Sequence, residues 1–273
     1  MLVCCLGDLT LDVVVRLASE LARDGDTPAE IKIGPGGQAA NVAAWVAALG
    51  AGARFVGKTG EDDAGTLARA GLAAHGVDVV GPVEGRNGAI CALVSADGAR
   101  SMAADRASAG ELHADELQPD WLVGCDTLHV SGYALTAEPA RGAALAAAEL
   151  ARAAGARVTV DLASWSAIRD SGIEAFRDAL EGLWPDVVFA NEDEERTVGR
   201  AGVDATWIVT LGARGCSFDG DERAALPVER VVDTTGAGDA LAAGWLVGGP
   251  DLALEAAARC VGQLGAMPVA SPA

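Results

Sequence analysis

Short apolar runs alternate along this chain with longer segments of helical period, and that alternation restricts the fold more than any other feature. Leu2–Leu6, Arg54–Gly57, Thr127–Ser131, Arg157–Leu162, Asp186–Ala190 and Trp207–Leu211 read as buried strands. Gln38–Leu49, Ala64–His75, Glu138–Ala154 and the stretch Ala237–Leu264 read as helical, as do residues leading up to Gly182. Strands separated by helices call for a parallel sheet covered on both faces. Two pairs of short strands break the rhythm: Leu11–Leu17 with Glu30–Ile33, and Ala89–Val94 with Arg100–Ala103, the latter joined by the turn Ala96-Asp97-Gly98. They predict a small antiparallel sheet placed to cover a cleft. A hairpin from Gly215–Phe218 to Arg223–Leu226 extends the edge of the main sheet. The expectation is one domain over residues 1–273, with a lid formed by about 11–33 and 87–104, rather than two equal domains.

Charge decides which partners are excluded. The chain carries 20 Lys and Arg against 39 Asp and Glu, a net −19. Such a surface repels phosphate backbones, so no nucleic-acid partner is expected. Any anionic ligand has to be held locally, by backbone N–H groups, a metal ion or a few arginines. The six cysteines form no C-x-x-C pair, and His75, His113 and His129 show no ligand spacing with them. Reduced thiols, no basic leader and no apolar run near about 18 residues predict a cytoplasmic protein without a membrane partner.

Three glycine-rich strings offer themselves as phosphate sites. Gly52-Ala53-Arg54-Phe55-Val56-Gly57-Lys58-Thr59 satisfies the P-loop spelling, but its middle residues read as a strand and Glu61, Asp62 and Asp63 follow at once. Gly34-Pro35-Gly36-Gly37-Gln38-Ala39 fits the dinucleotide spelling, but it follows a short strand and lacks the later acidic residue. The third, Asp233-Thr234-Thr235-Gly236-Ala237-Gly238-Asp239, runs into a helix. Small residues at a helix start concentrate unpaired N–H groups and the positive end of the dipole, an anion hole for a phosphate in transfer. Asp239 stands in the first turn beside it. An aspartate serving its own helix dipole is the plainer alternative.

The third string resembles the C-terminal signature of the ribokinase-like, or PfkB, carbohydrate kinases. Gly36-Gly37-Gln38-Ala39-Ala40-Asn41, with Gly57 through Gly65, resembles the N-terminal one. Asn191-Glu192-Asp193-Glu194 is similar to the family's N-x-x-E element, and Thr210-Leu211-Gly212-Ala213-Arg214-Gly215 to its nucleotide-side turn. The resemblance implies an α/β, ribokinase-like fold: a central, mostly parallel sheet flanked by helices on both faces, with a small β-sheet lid. It implies transfer of the γ-phosphoryl group of ATP to a hydroxyl of a small sugar or sugar acid, with Mg2+.

Roles follow residue by residue from that resemblance. Asp239 becomes the general base, for which an ordinary carboxylate suffices, and Gly236, Ala237 and Gly238 the anion hole. Asp12, Gly36, Gly37 and Asn41 would bind the sugar, with Asp8 a companion. Asn191 and Glu194 would organise Mg2+, Glu194 partly through water, while Thr210, Gly212 and Gly215 would line the nucleotide side. Asp233 and Thr235 resemble the place where several relatives hold a monovalent cation, K+ being the candidate. Thr10 stands where many relatives have asparagine. Arg86, Arg100 and Arg106 lie on or beside the lid, where convergent arginines would mark an acidic substrate. Relatives sometimes share the lid between subunits, so a homodimer through it is open. A nucleoside kinase is the alternative acceptor reading; it needs aromatic stacking partners, and aromatics are 4% of the chain, with Tyr133 and Trp165 near strand ends. A noncatalytic sugar- or nucleotide-binding regulator is the alternative from another class.

Overall fold

The computed structural model describes residues 1–95, 100–162, 164–200 and 202–269. The turn expected at Ala96-Asp97-Gly98 lies outside them. The chain begins with β1 (Leu2–Leu6), β2 (Thr10–Leu17), β3 (Ala29–Gly36), α1 (Gln38–Ala48), β4 (Gly52–Val56), α2 (Asp63–Ala74) and β5 (Asp78–Val80). It continues through β6 (Ala89–Val94), β7 (Arg100–Asp105), β8 (Thr127–Ser131), α3 (Ala140–Ala153), β9 (Arg157–Asp161), α4 (Trp165–Ser171) and α5 (Ile173–Leu183). It closes with β10 (Val187–Asn191), α6 (Glu192–Val198), β11 (Thr206–Thr210), β12 (Cys216–Phe218), β13 (Asp221–Arg223), α7 (Ala237–Gly248) and α8 (Pro250–Val261).

Nine strands form one sheet in the order β13-β12-β11-β10-β9-β8-β1-β4-β5, and four form another, β3-β2-β6-β7. The large sheet is parallel from β5 to β11, with β12 and β13 returning antiparallel at its edge. The P-loop spelling falls on β4 itself, so its residues serve the sheet. The small sheet is mixed rather than antiparallel: β2 pairs antiparallel with β3 and β6 with β7, but β2 and β6 run parallel. The sequence made the hairpin partners visible because they are local. The chain reaches β6 from β2 through β3, α1, β4, α2 and β5, a connection ample for a parallel crossover.

Apolar side chains from α1, α2, α7 and α8 fill one face of the large sheet, and those from α3 to α6 fill the other. Alanines make the close contacts. α3 turns Ala140, Ala143, Ala144, Ala147, Ala148 and Ala151 inward, so its backbone lies close on the strands. Trp45 of α1 is the large exception; it is 1% exposed, and its Nε1 donates to the carbonyl of Ala266 at 2.8 Å. Truncating such a buried ring costs about 3–5 kcal/mol. Here it would also release the C-terminal loop.

Strand order fixes where a ligand can enter. From β1 the chain builds outward through β4 to β5, then returns to place β8 on the other side of β1 and continues through β9, β10 and β11. Connections therefore leave β1 and β8 in opposite directions. Such a reversal opens a crevice outside the carboxyl ends of the strands.

Candidate active site

The crevice is lined by what the strand ends present. Asp8 follows β1, Ser131 ends β8, Asp161 ends β9, Asn191 ends β10 and Thr210 ends β11. The starts of α1 and α7 face them. A cleft of about 690 Å3 brings together Asn191, Glu194, Thr210, Gly212, Gly215, Ala237, Gly238 and Asp239. All five residues expected on the nucleotide and Mg2+ side are thus in one cavity with Asp239.

Asn191 and Glu194 hold one another. The Asn191 Oδ1 accepts the N–H groups of Asp193 and Glu194 at 2.9 and 3.0 Å, capping α6. In return, the Glu194 carboxylate accepts the Asn191 N–H at 2.8 Å and its Nδ2 at 2.7 Å. Burial, reinforced by the charge of Asp161, pushes the Glu194 carboxyl up to about 8. Among the described residues, no three His, Cys, Asp or Glu converge closely enough to hold a metal alone. Oxygens from Glu194 and Asp161 nevertheless suit Mg2+, which keeps several waters and leans on substrate phosphates.

The start of α7 is built around a left-handed glycine. Gly236 has φ +76°, and a Cβ there would stand 2.5 Å from the Cβ of Ala266, so this residue packs against the C-terminal loop rather than lining the cleft. The Ala237 N–H is engaged by the Thr234 carbonyl at 3.3 Å, and that of Ala240 returns to Gly236 at 2.9 Å. Between them, the N–H groups of Gly238 and Asp239 meet no acceptor among the described residues. Gly238 has open space where a Cβ would be. At this helix start the N–H groups left without a backbone acceptor among the described residues are therefore those of Gly238 and Asp239.

Asp239 joins the two sides of the crevice. Its Oδ2 accepts the Asn41 Nδ2 at 2.7 Å. Burial raises its pKa well above the ordinary carboxylate value; Asp161, Asp8 and Glu194 add to the rise, and the Asn41 hydrogen bond opposes it. The sequence argument needed no more than an ordinary carboxylate; burial first, and then the surrounding acids, set this one apart. Asn41 is 6% exposed, and its Oδ1 has no hydrogen-bond partner among the described residues. Its amide group therefore fixes Asp239 and keeps one acceptor in reserve.

The residues expected to bind sugar, Asp12, Gly36, Gly37 and Asn41, lie outside the lining of this cleft, and only Asn41 touches it, through Asp239. Thr10 Oγ1 donates to Asp12 Oδ1 at 2.6 Å, and burial lifts the Asp12 carboxyl to about 6. Gly36 and Gly37 make room for acids. A Cβ on Gly36 would stand 2.1 Å from Asp12 Cγ, and one on Gly37, at φ +100°, 2.4 Å from the Asp8 carbonyl oxygen. Arg106 Nη1 donates to the buried Asp8 carboxylate at 2.9 Å, and the guanidinium lies 3.5 Å from the centroid of Tyr133. Arg86 pairs outward with Asp105 at 2.8 Å.

Asp233 organises the C-terminal side. Its Oδ1 accepts the Thr235 N–H and hydroxyl at 2.9 and 2.5 Å, and its Oδ2 accepts the Gly265 N–H at 3.0 Å. The carboxylate thus closes the loop behind Gly236.

Sequence reasoning gave no role to Gln38, Ser131, Asp161 or Asn87. Ser131 Oγ donates to Gln38 Oε1 at 2.6 Å, and Gln38 Nε2 donates to Asp161 Oδ1 at 2.8 Å, a chain between the two halves of the crevice. For Ser131 and Asp161 a signal was present, since each is the polar end of a buried parallel strand; Gln38, at the start of α1, and Asn87, before β6, carried no such signal.

The profile of the pfkB family carbohydrate kinases matches residues 1–272, and the chain belongs to that family. It is a carbohydrate kinase. The chain is 35% identical to fructokinase-1 of Oryza sativa subsp. japonica over 264 residues, covering 88% of this chain and 80% of the relative. It is 36% identical to fructokinase-1 of Zea mays with the same coverage. Among solved structures, the adenosine kinase of Sinorhizobium meliloti superposes with a TM-score of 0.84 at 26% identity, covering 98% of this chain and 96% of that one.

Proposed function

We propose that the protein transfers the γ-phosphoryl group of ATP to a hydroxyl of a small neutral sugar, with fructose the first acceptor to test. The observation that carries this reading is the position of Asp239, which lines the nucleotide cleft and is held from the sugar side by Asn41. The alcohol oxygen attacks the γ-phosphorus, its proton passes to an Asp239 carboxylate oxygen, and the bond from that phosphorus to the β-bridging oxygen breaks to leave ADP. A raised pKa suits a base working near neutral pH. The N–H groups of Gly238 and Asp239 stabilise the charge on the transferring oxygens. Glu194 and Asp161 would hold Mg2+ through its waters, and the bound ion would neutralise phosphate charge. The Asp233–Thr235 turn is the proposed place for K+.

A neutral acceptor is favoured over a sugar acid because Arg106 is already neutralised by Asp8 and Arg86 is turned to Asp105. The fructokinase relatives point the same way. A nucleoside acceptor is the second reading, favoured by the adenosine kinase likeness. Against it, the Arg106 guanidinium occupies a face of Tyr133, the aromatic best placed to stack a base.

We place this chemistry in a single cytoplasmic domain whose small sheet serves as lid. Val13 and Val15 of β2 stand opposite Ile33 and Ile31 on one side and Cys91 and Leu93 on the other. Ile31 and Ile33 remain 60% and 61% exposed. This apolar face is the proposed homodimer contact, and light scattering should return a dimer mass that Ile31→Lys/Ile33→Lys lowers to a monomer.

A coupled assay with fructose, other free sugars, sugar acids and adenosine, run in K+ and in Na+, tests the function. Asp239→Asn should lower kcat by at least about a hundredfold while nucleotide and sugar affinities stay within several-fold. An unchanged kcat removes Asp239 from the reaction; turnover of adenosine alone reverses the acceptor order.

A further inference from the structure

Three acids face the cleft, Asp161, Glu194 and Asp239, and among the described residues none that line it is Lys, Arg or His. They stand close enough that the charge of Asp161 raises the carboxyls of the other two. Each acid is held instead by a side-chain amide. Asn41 Nδ2 donates to Asp239, Asn191 Nδ2 to Glu194 and Gln38 Nε2 to Asp161, at 2.7, 2.7 and 2.8 Å. The choice of donor matters. A lysine or arginine would orient a carboxylate by pairing with it, cancelling the charge that attracts a cation. A neutral amide fixes the oxygen and leaves that charge in place.

Gln38 is itself aimed. Its Oε1 accepts the hydroxyl of Ser131, a fully buried residue at the end of β8, at 2.6 Å. An inverted amide would set Oε1 against the Asp161 carboxylate, two acceptors face to face, so Nε2 is committed to Asp161. The bond joins the first residue of α1 to the last of β9. Mg2+ demands near-octahedral geometry, and a carboxylate free to turn serves it poorly. We propose that Gln38 is a positioning residue for Mg2+, acting through Asp161 by fixing the orientation of its carboxylate, with Ser131 setting the amide. The proposal rests on the phosphoryl transfer proposed above, in which Asp161 and Glu194 serve the ion, and adds the residue that aims one of them.

The experiment reads the factor by which Mg2+ tightens ADP binding. Calorimetry gives Kd for ADP with Mg2+ and with a chelator in its place, for the wild type, Gln38→Met, Asp161→Asn and the double variant. Groups that orient a metal's ligands cost about 10–100-fold in metal affinity when removed. Gln38→Met should therefore lower the Mg2+ factor about tenfold or more while metal-free ADP affinity holds within about twofold. In the Asp161→Asn background it should cost nothing further, because its effect passes through Asp161. Gln38→Ala is read by the same criteria should Gln38→Met fail to fold. An unchanged factor, an equal loss of ADP affinity with and without Mg2+, or a further loss in the Asp161→Asn background overturns the proposal and leaves phosphoryl transfer standing. Loss of the factor in Gln38→Met, with no sugar turned over by the wild type, supports the role of the amide and counts against the transfer reading. A wild type whose ADP binding is absent or indifferent to Mg2+ overturns both.

Discussion

Asp12 is shaped by what its neighbour lacks. Because a Cβ on Gly36 would stand 2.1 Å from Asp12 Cγ, Gly36→Ala must displace that carboxyl. The sugar KM should rise at least about tenfold while the nucleotide KM holds, and initial rates with each substrate varied will show the split. The pH response has a definite sign. As pH falls through about 6, Asp12 takes up a proton and loses acceptor capacity for hydroxyls, so kcat/KM for sugar should decline. Asp12→Asn, which cannot titrate, should leave a profile governed by Asp239. Asp239 was singled out by its place after two glycines at a helix start, whereas Asp12 was named only through the family resemblance. Asp161 was given no role, since its partner Gln38 is 123 positions away and only the folded sheet brings them together.

Elements meet at Asn87, just before β6. Its Oδ1 accepts the Gly60 N–H at 2.9 Å, and its Nδ2 donates to the Gly88 carbonyl at 2.9 Å and lies 3.4 Å from that of Leu9. Its own N–H reaches Asp62, which also caps α2 through Gly65. One 1% exposed amide therefore ties the roots of β2 and β6 to the turn before α2. Asn87→Ala would strand buried polar groups at a cost of about 1–3 kcal/mol each, lowering Tm. It should also raise the sugar KM, because β2 carries Asp12; calorimetry and steady-state kinetics on the same preparation check both. At this scale most strand and helix positions were legible from apolar periodicity to within a few residues, while the short β5 and α6 were not. The parallel β2–β6 pairing was not, because nothing local distinguishes a strand that crosses over from one that turns back.

Across the whole molecule, charge and burial act in the same direction. Burial raises the Asp12 carboxyl to about 6, the Glu194 carboxyl to about 8, and that of Asp239 well above the ordinary range. Each binds its proton more tightly folded than unfolded, so stability is present at low pH and lost as pH climbs through these values. The Tm of nucleotide-free protein should therefore be lower near pH 8.5 than near pH 6. Repulsion within the −19 net charge gives the same slope but is screened by salt, whereas buried groups are screened far less. Part of the slope should survive about 0.5 M salt, and its complete loss would refute the burial account. The Asn41–Asp239 bond spans 198 positions, so Asn41 leaves the ribosome long before the residue it holds. Because α7 and α8 also fill one face of the large sheet, a chain ending ahead of α7 would lose that packing together with the proposed base, so fold and chemistry depend on the same late segment.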